Sequence, residues 1–197
     1  MLELLIGEVL GWQLAIAPAP HRQPRHSMLS QSLPVSTQDA IPHPPLLRHE
    51  VSPAGSYHLV LTLGQTAPGD RRTTASLFET TGDRCQQLWS QELPHSYGPR
   101  TALVNDTGTV VLLDEWINVA SSYAIVVLGL DGEIRSQQGF DDIVQATGQT
   151  RAEVVGQAAQ GFWLGGTPAF AEQGTQVSIP TAGGQLTLNL MTDELRF

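Results

Sequence analysis

Apolar residues in this chain come in short runs set apart by turn-forming residues. From about residue 46 the runs are rich in Val, Leu and Ile, and Gly, Asp, Asn and Thr divide them. That punctuation predicts β-strands joined by turns. The segments LVLTL (59–63), TVVLL (109–113) and AIVVLGL (124–130) are apolar at both alternating positions. A sheet with one face in water would alternate apolar with polar residues. These strands are therefore expected to be covered on both faces, by stacked sheets or by a helix. One stretch breaks the pattern. FDDIVQATG has Asp141 or Asp142 as a candidate N-cap, Ile143, Val144 and Ala146 at helical spacing, and Gly148 as a stop. Thr150 and Glu153 follow at capping-box spacing and allow a second helical turn. FWLGG (162–166) is expected to return to strand.

Three blocks line up within this pattern. The first joins SPAGSYHLVLTL to ASLFETTGDRCQQLWSQEL, and the second joins VNDTGTVVLLDEW to YAIVVLGLDGEIRSQQGF. The third joins AEQGTQVSIP to GQLTLNLMTDELRF. Each block has a turn, a strand, a variable loop, a second strand, another turn and a closing segment. The first turns hold Gly55, Gly108 and Gly174; the second turns hold Gly82, Gly132 and Asp193. Asp131-Gly132 is a strong hairpin signal, because tight hairpin turns need positive φ.

The carrying residues of a family resemblance are Ser52-Pro53-Ala54-Gly55 and Asn105-Asp106-Thr107-Gly108 at one hairpin. Val126-Val127-Leu128 with Asp131-Gly132 carry it at the other, as does Leu88-Trp89 after Gly82. Over residues 46–197 the pattern resembles blades of β-propeller repeat proteins, in the WD40-like and quinoprotein-like sense. The Gly-His and Trp-Asp dipeptides of WD40 blades are absent. The resemblance implies an all-β, mostly antiparallel fold: a partial or degenerate propeller of about three four-stranded units with one short helix. Propellers usually close with four to eight blades. Three units would therefore form an open meander, or a protomer completed by association. A two-sheet β-sandwich is the alternative.

Composition narrows the function classes. Charged residues are only 15% of the chain, all ten basic residues are Arg, and the net charge is −9. Residues 101–197 hold eleven acids and three Arg, whereas residues 1–100 hold eight and seven. The acidic half would repel nucleic acid and anionic membrane surfaces. Cys85 is the single cysteine, so no intrachain disulfide forms. Its default role is buried packing.

Residues 1–17 (MLELLIGEVLGWQLAIA) are apolar, but the early charges are Glu3 and Glu8 rather than the cations of a signal peptide. The segment is short and acidic for a membrane span. Leu2, Leu5, Ile6, Val9 and Leu10 fall near the spacing of a docking helix. Residues 18–45 carry seven Pro and read as an extended linker before the β-repeat domain, 46–197. The expected location is the cytoplasm, with export as the alternative.

Candidate chemistry is sparse. Asp114-Glu115-Trp116 ends an apolar strand and is the first candidate ligand site, because propeller-like proteins bind ligands at such loops. Neighbouring strand residues face opposite ways, so the two carboxylates are not expected to converge as an acid–base pair does. In the plainer reading Asp114 caps the strand and Trp116 packs under a loop. His95 and Arg100, with Tyr97, sit in a loop able to recognise an anion or simply to connect units. Trp89, Trp116 and Trp163 recur about once per block, which fits core packing or an aromatic binding surface. No nucleophile elbow, phosphate loop, calcium loop or Cys/His metal knuckle occurs. No catalytic residue, metal ligand or cofactor is assigned.

The expected function is a non-enzymatic scaffold for protein interaction or ligand binding, with a protein partner or self-association. The alternative is a hydrolase or lyase acting on a neutral or cationic small molecule. It would use carboxylates among Asp114, Glu115, Asp141 and Asp142.

Overall fold

Each of the three blocks folds into its own four-stranded antiparallel sheet. The structure is a computed structural model and describes residues 43–64 and 72–197. The segment 1–17 and all but the end of the linker 18–45 lie outside the described residues. In the first sheet β1 (Leu47–Val51), β2 (Tyr57–Leu63), β3 (Thr73–Thr81) and β4 (Arg84–Glu92) run in sequence order. The middle sheet has β5 (Pro99–Val104), β6 (Val110–Glu115), β7 (Ile125–Leu128) and β8 (Ile134–Gln138). The last sheet has β9 (Ala169–Ala171), β10 (Gln176–Thr181), β11 (Gly184–Asn189) and β12 (Leu195–Arg196). Three sheets replace the two of the sandwich alternative.

The sheets pack face to face with the middle sheet inside. Every residue of β6 and β7 is buried. Side-chain alternation splits them between two cores. Val110, Leu112, Val126 and Leu128 meet Leu59, Leu61, Ala75, Leu77 and Trp89 of the first sheet. Val111, Leu113, Ile125 and Val127 meet Val177, Ile179, Leu186 and Leu188 of the last. Both-faced apolarity is thus explained for TVVLL and AIVVL. LVLTL departs from the expectation: Leu59, Leu61 and Leu63 are buried, while Val60 is half-buried and Thr62 exposed. Among the described residues, one face of the first sheet has no neighbouring sheet.

Between the middle and last sheets lie two short helices rather than one, α1 (Phe140–Thr147) and α2 (Arg151–Gly156). The N-cap of α1 is Gly139, two and three residues before the acids expected to cap it, Asp141 and Asp142. Asp142 sits at the third helical position and its carboxylate accepts the Gly139 N–H at 2.7 Å. Thr150 and Glu153 form the capping box of α2. Phe140, Ile143, Val154 and Trp163 feed the core. FWLGG is not a strand; Leu164 makes only isolated bridges to Gln160 and Thr181. Cys85 is exposed rather than buried, because its end of β4 extends past the core.

Turns of successive units touch in order. The Ala54 N–H donates to Asp106 Oδ1 at 2.7 Å, and Asn105 Nδ2 donates to the Gly174 carbonyl at 2.9 Å. Strand side chains reach the second turns of the next unit: Gln91 Nε2 of β4 donates to the Gly132 carbonyl at 2.7 Å, and Arg135 Nη2 of β8 to the Leu190 carbonyl at 2.6 Å. Gly132 takes φ 85° and lies under the Trp89 ring, where an added Cβ would come within 2.9 Å. Glycine is therefore required there for both backbone and space.

Candidate functional site

β6 is straight and apolar until Asp114, where the backbone turns left-handed at φ 59°. Asp is one of few residues that tolerates this, since its short side chain bonds locally. Here Oδ1 accepts the Glu115 N–H at 3.0 Å and Oδ2 accepts the Phe162 N–H at 2.6 Å. The carboxylate thus ties the end of β6 to the loop that enters the last sheet. Asp114 is 1% exposed. Burial pushes its pKa up to about 6, against the pull of the backbone donors at Phe162 and Glu115 and the charge of Arg100.

Glu115 pairs with Pro99 of β5 and is also buried. Its Oε1 accepts the Ser121 hydroxyl at 3.1 Å, and Oε2 meets no hydrogen-bond donor among the described residues. Burial raises its pKa to about 7; the Ser121 bond opposes this and the Asp114 charge adds to it. The two acids are therefore held by different partners. The left-handed turn at Asp114 breaks the strict strand alternation on which their expected divergence rested.

Trp116 is half-buried and flanked by cations. The guanidinium carbons of Arg100 and Arg48 lie 5.3 and 5.9 Å from its ring centroid. Arg100 Nη2 also donates to the Trp116 carbonyl and, at 2.8 Å, to Asn118 Oδ1. Arg48 Nη1 donates to the Pro99 carbonyl at 2.6 Å. Trp89 and Trp163, by contrast, are core residues.

His95 is fully buried, with Nε2 3.1 Å from the Tyr123 carbonyl. The carbonyl accepts, so Nε2 carries the proton and Nδ1 does not. Burial lowers its pKa to about 4, outweighing the Tyr123 bond. A neutral, enclosed imidazole has no charge to offer an anion at neutral pH.

The structure joins Asp114, Arg100 and Trp116 in one contact network. His95 and Glu115 both attach to the segment 121–123. Sequence reasoning missed Ser121, Phe162 and Gly161. At Gly161 an added Cβ would collide with Asp114 Oδ2 and come within 2.6 Å of Arg100 Cδ. The glycine in QGF was the only local sign of that approach. None of Asp114, Glu115, Trp116, His95 and Arg100 lines any of four surface hollows of about 380 to 570 Å³ among the described residues. One of about 380 Å³ reaches Ser121, Asp141, Asp142 and Arg151. There Asp141 pairs with Arg151, and Asp142 bonds Gly139. No group of three or more His, Cys, Asp or Glu able to hold a metal occurs among the described residues. No described helix is long and apolar enough to cross a membrane. No protein-family model, curated protein or solved structure matches the chain.

Proposed function

We propose that the chain is a non-enzymatic β-repeat scaffold that binds a protein partner or a ligand. The observation that carries this reading is the commitment of Asp114: both oxygens accept backbone N–H groups, and the residue is 1% exposed. A group so bonded serves the junction between two sheets. His95 and Arg100 are likewise occupied by the carbonyls of Tyr123 and Trp116. The acidic balance of residues 101–197 favours a partner that is not a polyanion.

One observation favours the hydrolase or lyase reading. Glu115 has an unpartnered oxygen and a pKa raised to about 7, the range useful for proton transfer. Ser121 stands between it and the polar hollow. A panel of p-nitrophenyl esters, phosphates and glycosides separates the two. The scaffold reading expects no turnover above that of Glu115→Gln. Turnover that Glu115→Gln abolishes, in a variant that melts like the wild type, would establish the enzyme instead.

A further inference from the structure

Two histidines of the first sheet meet across neighbouring strands. His49 of β1 lies opposite Val60 of β2, and His58 of β2 lies opposite Val51 of β1. The two imidazoles are therefore diagonal neighbours on one face. His58 Nδ1 and His49 Nε2 stand 3.2 Å apart, with ring planes within 17° of parallel. His49 is exposed and His58 half-buried. Among the described residues no other hydrogen bond reaches either ring. A tight turn closes the β1–β2 ladder: the Ser52 N–H donates to the Tyr57 carbonyl at 2.9 Å, and the Tyr57 N–H to Ser52 Oγ at 3.1 Å. The register that brings the imidazoles together is thus fixed before anything binds, which lowers the entropy cost of binding.

We infer that His49 and His58 form a binding site for a divalent transition-metal ion, with Cu²⁺ the best fit. Two nitrogens each about 2.0 Å from one metal stand about 2.8 to 3.3 Å apart, as the angle between them opens from square-planar to tetrahedral. The observed 3.2 Å lies in that span. In the metal-free pair one of these nitrogens donates its N–H to the other. On binding, that proton moves to the other nitrogen of its own ring. Side-chain rotation then turns both lone pairs to the metal, and two waters leave the ion. Imidazole suits Cu²⁺, Ni²⁺ and Zn²⁺, and Cu²⁺ leads them in affinity. Nitrogen donors disfavour Ca²⁺ and Mg²⁺, which take oxygen ligands.

The surroundings support a cation. Val51, Val60 and Phe78 flank the rings in the strand register and lower the local polarity around them. The net charge of −9 draws a dication toward the chain. Two protein nitrogens leave the remaining positions to water, so the ion exchanges, and a donor from a bound molecule can take an open position. The inference goes beyond the scaffold reading and does not depend on it.

Calorimetric titration of the full chain with the nitrilotriacetate chelate of Cu²⁺, which leaves two adjacent positions open, tests this at neutral pH. A Cys85→Ser background keeps the exposed thiol from reducing the metal. One equivalent is expected to bind. His49→Gln and His58→Gln are each expected to weaken binding at least about tenfold, the scale found even for outer-shell partners of metal ligands. Pulsed EPR of the bound Cu²⁺ is expected to count two imidazoles, a reading that needs neither variant to fold. His21→Gln/His26→Gln, outside the described residues, is expected to leave binding unchanged. No binding, or fewer than two imidazoles on the metal, would overturn the inference. So would an affinity that survives both single variants or falls with His21→Gln/His26→Gln. Turnover of the p-nitrophenyl panel does not enter, so the scaffold reading stands or falls separately.

Discussion

Asp114 and Glu115 show what two acids do to a fold when burial outweighs the partners that favour their charge. Their pKa values, about 6 and about 7, lie above the ordinary 3.8 and 4.5, so the folded state holds protons that the unfolded chain has released. Stability from these two groups is complete below about pH 4 and is lost as pH rises through 6 and 7. His95 runs the other way. Its pKa falls from 6.5 to about 4, so its contribution is present above 6.5 and is lost as pH drops toward 4. Two acids against one histidine leave a net decline in stability between about pH 4.5 and 6, and Glu115 alone extends it toward 7. Urea unfolding is expected to give a lower midpoint at about pH 8 than at about pH 5. Glu115→Gln is expected to gain on the order of 2 kcal/mol over the wild type at the higher pH and little at the lower. A Glu115→Gln protein that is less stable at pH 8 would contradict the assignment. At this scale the strand end at 114–116 was legible, because an apolar run stops there. The partners of these residues were not. Phe162 lies 48 positions from Asp114, and no local pattern encodes such a contact.

Elements were easier to read than contacts. Turn residues and strand runs foretold all three units, and positive φ occurs at Gly55, Gly108, Gly174, Gly82, Gly132 and Asp193. The capping box at Thr150 and Glu153 has the spacing that its geometry demands. The start of α1 was misplaced, because an aspartate ahead of an apolar run fits the N-cap and the third helical position alike. Asn105 is where element structure and unit packing meet. Its Oδ1 accepts from the Thr107 N–H, the Thr107 hydroxyl and the Thr109 N–H at 3.0, 2.8 and 2.9 Å, while its Nδ2 reaches Gly174. Asn105→Ala leaves the buried Thr109 N–H and the part-buried Gly174 carbonyl without this partner and is expected to cost roughly 1–3 kcal/mol in chemical denaturation. Asp106→Ala removes one exposed bond to Ala54 and is expected to cost less than about 1 kcal/mol. Equal losses would mean that Asn105 does not pin the middle and last units together.

The described residues form a stack of three sheets in which the two central strands of the middle one are buried between the other two. Composition of the strands made this partly visible, since a sheet buried on both faces has no polar alternation. The first sheet departs from this, because Val60 is apolar on a face that no other described sheet covers. An exposed and a buried apolar residue have the same chemistry, and a single sequence does not separate them. The stacked arrangement also underlies the scaffold reading, for it leaves the outer sheets and the unit turns as the surfaces a partner can meet. Amide hydrogen exchange followed by NMR at neutral pH tests it most directly. The amides of Val110–Leu113 and Ile125–Leu128 are expected to outlast those of the first and last sheets, because every residue of these two strands is buried. Exchange that is slowest in the first or last sheet, or equally fast in β6 and β12, would contradict the three-layer account.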